Sequence, residues 1–106
     1  MINLSIAQRQ KLLASWGERA DSLAATAELR VYDPLSCWEC FIYALNPDDQ
    51  DEIACILHGF TVETCNWRLS ELASHFNANG EAPIVDKEYR SREANVILKM
   101  LRDYDS

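Results

Sequence analysis

Two stretches decide the fold, Leu29-Arg-Val-Tyr-Asp-Pro-Leu-Ser-Cys-Trp-Glu-Cys-Phe-Ile-Tyr-Ala-Leu45 and its continuation Ile53-Ala-Cys-Ile-Leu-His-Gly-Phe60. They hold most of the β-branched and aromatic residues, the types that are enriched in strands. Asp33-Pro34 and Asn46-Pro47-Asp48-Asp49 interrupt the apolar runs with residues that favour turns. We therefore predict three antiparallel strands, at roughly 29–32, 37–45 and 52–60, joined by short loops.

The second of these strands is apolar on both faces when its side chains alternate. A strand of this kind is normally central in a sheet, covered by helices on both sides or by helices on one side and a partner on the other. A fourth strand through 61–67 alternates more weakly. The predicted faces of the second strand are Trp38, Cys40, Ile42 and Ala44 on one side, and Cys37, Glu39, Phe41, Tyr43 and Leu45 on the other.

Two helices are predicted at the ends of the chain. Ser5 with Gln8 has the spacing of a capping box and starts the first. Ser91 caps the last, which has an apolar stripe and Lys99 and Arg102 near its negative end. Between them, the stretch 23–27 is predicted either as a short helix capped by Asp21 or as irregular chain. A short helix is predicted through 69–76, and an edge strand at 82–85.

At 106 residues the chain is predicted to form one domain. The fold class is α+β, a three- to four-stranded antiparallel sheet with the N-terminal and C-terminal helices packed on it. No apolar run approaches the roughly 20 residues that span a bilayer, and the first residues lack the pattern of a signal peptide. We therefore expect a cytoplasmic protein that does not contact a membrane, with its four cysteines as thiols.

The charge is acidic and unevenly distributed. Seventeen acidic against ten basic residues give a net charge of -7, and no Lys or Arg lies between Val31 and Trp67, where seven acidic residues occur. A region of one sign repels phosphate backbones and attracts basic partners. Direct binding of nucleic acid is therefore disfavoured, and a basic protein partner is favoured.

Four carboxylates cluster in five residues at the predicted hairpin, Asp48, Asp49, Asp51 and Glu52. A calcium loop would need Gly at its sixth position and Glu at its twelfth, and neither is present. One interpretation is a solvated loop. The other is a contact surface for a basic partner, which would also include Glu39.

Cys37-Trp-Glu-Cys40 and Cys55-Ile-Leu-His58 together have the ligand count of a Cys3His zinc site. Against this, the first pair falls in a predicted strand, where the two sulfurs would point to opposite faces. Cysteine also packs as a small buried hydrophobe. Core thiols are the favoured interpretation, and a small zinc-binding module is the alternative.

No motif of an enzyme is present. The chain has no P-loop, no dinucleotide-binding glycine pattern and no His-Glu-x-x-His, and it has only three glycines. The two histidines, His58 and His75, are expected to be packing or surface residues. We predict a non-enzymatic protein without a cofactor.

A resemblance to a known family is carried by several short motifs: Ala7-Gln-Arg-Gln-Lys-Leu-Leu13, Leu29-Arg-Val-Tyr-Asp-Pro34, Trp38, Asn46-Pro-Asp-Asp49, Leu69-Ser-Glu-Leu72 and Val85-Asp-Lys-Glu-Tyr89. Together they resemble a family of small bacterial proteins carried on plasmids, phages and integrative elements, known as a domain of unknown function. The chain departs from the family where a Gly-rich link is replaced by Thr61-Val-Glu-Thr-Cys-Asn-Trp67 and a capping Ser by Arg68. The resemblance implies a mobile-element setting and supplies no catalytic residue.

The leading hypothesis is an acidic interaction protein of a mobile element, which binds a basic nucleic-acid-binding protein. Its most concrete form is an inhibitor of a defence protein, such as an anti-CRISPR or a DNA mimic, that contacts its partner through Glu39, Asp48, Asp49, Asp51 and Glu52. The alternatives are the zinc module and a homodimer in which the second face of the sheet closes against its copy.

Overall fold

The computed structural model describes residues 2–18 and 24–105. It has the predicted α+β architecture. The helices are α1 (Ile6–Ser15), which a 3-10 turn at Trp16–Glu18 follows, α2 (Leu69–Ala73) and α3 (Ala94–Asp105). The strands are β1 (Thr26–Ala27), β2 (Leu29–Tyr32), β3 (Glu39–Asn46), β4 (Asp49–His58), β5 (Val62–Arg68), β6 (Ile84–Val85) and β7 (Arg92–Glu93).

The main sheet has five antiparallel strands in the order β5-β4-β3-β2-β6, one more than the upper number predicted. The fifth strand is β6, which lies within the edge strand predicted at 82–85 and pairs Val85 with Val31 at the far edge. The second sheet is small and was not predicted. It pairs Thr26 with Glu93 and Ala27 with Arg92, and such two-residue strands have no periodicity that a sequence could reveal.

A bulge at Tyr43 shifts the faces of β3. Ile42 lies opposite Cys55 and Ala44 opposite Ala54, so Tyr43 is an extra residue in the ladder. The predicted faces are correct from Trp38 as far as Tyr43 and wrong at Ala44 and Leu45. Ala44 lies with Tyr43, and Leu45 lies with Ile42.

Both faces of the sheet are covered, as the apolar pattern of the second strand predicted. One core cluster joins Leu12 of α1 and Leu72 of α2 to the face with Ile42 and Ile53. The other joins α3 to the opposite face, around Phe41 and Ile56 of the sheet and Ile97 and Leu98 of the helix. The open second face that the homodimer hypothesis required is therefore occupied by α3.

Several predicted boundaries are corrected. Cys37 precedes β3 and is not part of it, and α2 is a single turn that ends at Ala73. The helix predicted after Asp21 falls partly on 19–23, outside the described residues, and Thr26–Ala27 within its range is strand β1. The final helix begins at Ala94, whose N–H donates to the Ala25 carbonyl at 2.9 Å, and Ser91 does not cap it.

The predicted capping box of α1 is confirmed. The Ser5 hydroxyl accepts from the Gln8 N–H at 3.1 Å, and the Gln8 side chain accepts from the Ser5 N–H at 2.9 Å. These bonds satisfy donors that the first helical turn otherwise leaves free.

Within the described ranges, no helix combines the length and the apolar character needed to cross a bilayer.

Candidate aromatic binding site

An open groove lies on the sheet face that carries α1 and α2. Its volume is about 600 Å³, within the range of ligand and side-chain pockets. The groove is bounded by the loop before β3, the turn between β4 and β5, the edge strand β5 and the chain after α2. We call it the aromatic groove, and its main side chains are Trp38, Leu57, Phe60, Glu63, Trp67 and His75.

Three of these rings form a cluster. The centroids of Trp38 and Trp67 lie 6.3 Å apart with tilted planes. The His75 imidazole is edge-on to both indoles, at 5.6 Å from Trp38 and 5.9 Å from Trp67. These separations are those of favourable aromatic contacts, so the rings form a fixed wall.

The loop before β3 positions Trp38. The Asp33 N–H donates to the Trp38 carbonyl at 3.1 Å and closes the loop, and the Asp33 carboxylate accepts from the Leu35 N–H at 3.0 Å. Cys37 takes φ of +59°, a left-handed conformation that is uncommon for a residue with a Cβ. The chain therefore holds strain beside the groove, which is where functional surfaces concentrate it.

Phe60 projects from the turn between β4 and β5. The Gly59 N–H donates to the Thr61 carbonyl at 3.0 Å across this turn. The Phe60 side chain is fully exposed, with a relative accessibility of 108%. Aromatic side chains are enriched among the residues that carry binding energy in interfaces, so Phe60 is a candidate contact residue.

The groove is negative. Glu63 is its carboxylate, and none of the described residues that line it is a lysine or arginine. Glu71 lies beside it and accepts from the Trp67 indole N–H at 3.0 Å. Indole faces next to carboxylates attract cations, because the negative face of the ring and the carboxylate act in the same direction.

The carboxylates of the acidic hairpin were expected to lie without a neighbouring cation, but Arg68 lies against two of them. The Arg68 guanidinium contacts the carboxylates of Asp49 and Asp51 at 3.0 Å each. The Arg68 guanidinium is the main cause of the lowered pKa of Asp49, whereas the Ser70 hydroxyl is the main cause of the lowered pKa of Asp51. Both carboxylates are therefore held in internal contacts.

The other predicted contact residues have partners as well, with one exception. Glu39 accepts from Arg30 at 2.7 Å and contacts His58 Nδ1 at 2.7 Å, while Glu52 accepts from Asn46 at 2.8 Å. Asp48 is exposed at the tip of the hairpin. The premise that these anions lack neighbouring cations is wrong for Glu39, Asp49 and Asp51, because Arg30 and Arg68 lie just outside the stretch without cations and contact them.

The structure does not bring the four candidate zinc ligands together. Cys40 and Cys55 are buried in the cluster below α1. Cys37 is exposed in the loop, and His58 is directly opposite Glu39 in the ladder and contacts its carboxylate. Across the described part of the chain, no group of three or more His, Cys, Asp or Glu side chains is placed to hold a metal ion.

Instead, two thiols meet across adjacent strands. Cys55 lies directly opposite Cys65, with the sulfurs 3.6 Å apart. Hydrogen bonding with the Cys40 thiol and burial raise the pKa of Cys55, and hydrogen bonding with Cys55 and burial raise that of Cys65. Cys40 and Cys55 are fully buried in a core cluster, where a thiol packs as a small apolar side chain.

Sequence reasoning missed the groove. It assigned neither Trp38 nor Trp67 to a site, and it treated His75 as a packing or surface residue. The sequence signal available was Phe60, an aromatic residue directly after Gly59 at the end of a strand. The assembly of the site depends on α2 turning back over the sheet, which no local pattern reveals.

No protein-family model, no curated protein and no solved structure matches this chain. The resemblance to a mobile-element family therefore stays a prediction.

Proposed function

We propose that this chain is a non-enzymatic protein-interaction domain of the cytoplasm that binds a basic partner through the aromatic groove. The observation that carries the proposal is the groove itself, in which a fully exposed phenylalanine lies beside paired indoles. Interfaces concentrate their binding energy in a few aromatic anchors of this kind.

The charge of the groove supports a cationic partner. Glu63 contributes a carboxylate, and the whole chain has a net charge of -7. Complementary charge speeds encounter and fixes orientation. An arginine or lysine of the partner would lie over an indole and pair with Glu63, which combines cation–π attraction with an ion pair.

The contact surface proposed here differs from the hairpin favoured by the sequence. Because Asp49 and Asp51 already pair with Arg68, contact with a partner cation would compete with an existing partner. A DNA mimic needs carboxylates that are free to meet cations, so this pairing weakens that form of the hypothesis. Inhibition of a defence protein and a mobile-element setting stay predictions.

The test is affinity purification of the full chain from cells of its source, followed by direct binding to the purified partner. We expect a basic protein, bound roughly tenfold or more weakly by Phe60→Ser and by Glu63→Lys. Phe60 is fully exposed, and Glu63 has no ion-pair partner among the described residues, so neither change should unfold the domain.

Two variants serve as controls. Tyr104→Ser removes an exposed aromatic ring of α3, which packs on the sheet face opposite the groove, and Asp48→Lys reverses the charge of the exposed hairpin tip. Both should bind as the native chain does. Loss of binding in Asp48→Lys, with full binding in Phe60→Ser and Glu63→Lys, would return the contact surface to the hairpin and reject the groove.

A further inference from the structure

Strand β5 is an edge of the main sheet. It is paired with β4 alone, so one row of its backbone N–H and C=O groups faces away from the sheet. The ladder runs without a bulge from His58–Val62 to Glu52–Arg68. Proteins usually protect such edges with bulges, Pro or charged side chains. Strand β5 has neither a bulge nor Pro, and its charged side chains are Glu63 and Arg68.

The opposite edge of the same sheet is protected. Strand β6 has only two residues and follows Pro83 directly. Short strands and proline are the usual devices against pairing with another chain. The two edges therefore differ, and β5 offers the longer row of unpaired backbone groups.

The open edge borders the aromatic groove. Side chains alternate along β5, and Glu63, Cys65 and Trp67 lie on the face that carries the groove. A strand added outside β5 would place its own alternate side chains about 5 Å from these. Glu63 and Trp67 are four residues apart, so they select a cation and an apolar side chain with the same separation.

We propose that the partner adds an extended basic segment to β5 as a sixth strand. This inference rests on the proposed function and specifies its form. The segment carries an arginine or lysine opposite Glu63 and, four residues away, an apolar side chain against Trp67. Backbone hydrogen bonds supply affinity and the groove supplies selectivity, as in other cases of strand addition.

Charge favours a basic segment over a second copy of the chain. Pairing of two β5 strands would join two molecules of net charge -7, whereas a basic segment lowers the net charge of the complex. A second copy is the competing occupant that the test must separate.

The experiment selects binders from a displayed library of random ten-residue linear peptides, with the full chain as bait. We expect enrichment of peptides with Lys or Arg four residues from an aromatic or aliphatic residue. A synthetic peptide from this selection should slow amide hydrogen exchange in 62–68. Methylation of its backbone nitrogens, one at a time, should weaken binding tenfold or more at alternate positions only, because alternate amides face β5.

The outcomes separate this inference from the proposed function. Basic peptides that lose affinity with Phe60→Ser, yet tolerate every N-methylation and leave exchange in β5 unchanged, would overturn strand addition and keep the groove as the binding site. Selected peptides without basic residues, or no selected peptides, would overturn both. Doubled mass in light scattering, with β5 protected before any peptide is added, would assign the edge to a second copy and overturn the inference.

Discussion

At the scale of single residues, Arg68 holds two carboxylates of the acidic hairpin in their ionised form. It lies at the end of β5 and contacts Asp49 and Asp51 of β4. An opposite charge at this distance favours the ionised carboxylate and lowers its pKa. The two carboxylates differ in a way that can be tested, because Asp49 depends first on Arg68 and Asp51 depends first on Ser70.

Replacement of Arg68 by Gln should therefore raise the pKa of both carboxyl groups, and that of Asp49 more than that of Asp51. The measurement is a carboxyl carbon NMR titration from pH 2 to 7 of the native chain and the variant. Arg102→Gln, at the exposed end of α3, is the matched control and should leave both pKa values in place. Equal shifts at the two residues would contradict the assigned role of Ser70.

The charge pattern in the sequence failed at this scale for a physical reason. The stretch without cations ends at Trp67, and residues 30 and 68 on either side are both arginines. In an antiparallel sheet the partner of a side chain lies across strands, so distance along the chain does not measure pairing. Arg30 pairs with Glu39 nine positions away, and Arg68 with Asp49 nineteen positions away.

At the scale of elements, α2 begins without a cap of its own. Its N-cap residue is Arg68, whose side chain makes no capping hydrogen bond. Asp51 from β4 takes over this role, since its carboxylate accepts from the Ser70 N–H at 2.9 Å and from the Ser70 hydroxyl at 2.6 Å. A residue of another strand thus supplies the acceptor that the Arg68 side chain does not provide.

The variant Asp51→Ala should lower the free energy of unfolding by about 1 kcal/mol, the usual effect of losing a helix cap. Asp51→Asn, which keeps an oxygen acceptor, should lower it less. Urea unfolding followed by tryptophan fluorescence measures both, because Trp67 lies two residues before the start of α2. Asp48→Ala, an exposed residue of the same hairpin, is the control, and an equal loss in that variant would show that α2 does not depend on this cap.

The elements that could be predicted from the sequence are those with their own local signal. The capping box of Ser5 and Gln8 and the alternating strands β3 to β5 have such signals, and they were predicted to within a few residues. The bulge at Tyr43 and the two-residue sheet of Thr26–Ala27 with Arg92–Glu93 have none. They exist because tertiary contacts satisfy their backbone groups, and that information is not local.

At the scale of the whole molecule, Asp33 ties two distant loops together beside the groove. Its carboxylate accepts from the Leu35 N–H in its own loop and from the Asn77 side-chain amide, 44 positions away, at 2.9 Å. The bond from Asn77 is the main cause of a lowered pKa for Asp33. The group is buried, so its ionised form depends on these donors.

Acid should therefore destabilise the domain in a definite range of pH. The folded-state pKa values of Asp33, Asp49 and Asp51 are all lowered, so the unfolded chain binds more protons below its ordinary carboxyl pKa of about 3.8. These carboxylates contribute their full stabilisation above that pKa, and the contribution is lost as the pH falls through the lower folded-state values. Urea unfolding at pH 7, 5, 4, 3 and 2.5 should give a free energy that is level at first and then falls below about pH 4.

The contribution of Asp33 can be separated from the rest. Asp33→Asn should lower the free energy of unfolding at pH 7, because an amide replaces the charged acceptor. It should also reduce the slope of the free energy of unfolding against pH below pH 4, by the equivalent of a fraction of one bound proton. Asp48→Asn, which removes an exposed carboxylate, should leave both quantities unchanged. If Asp33→Asn kept the native slope of the free energy of unfolding against pH below pH 4, the two loops would be held by other contacts. The position of Trp38 in the groove would then not depend on this carboxylate.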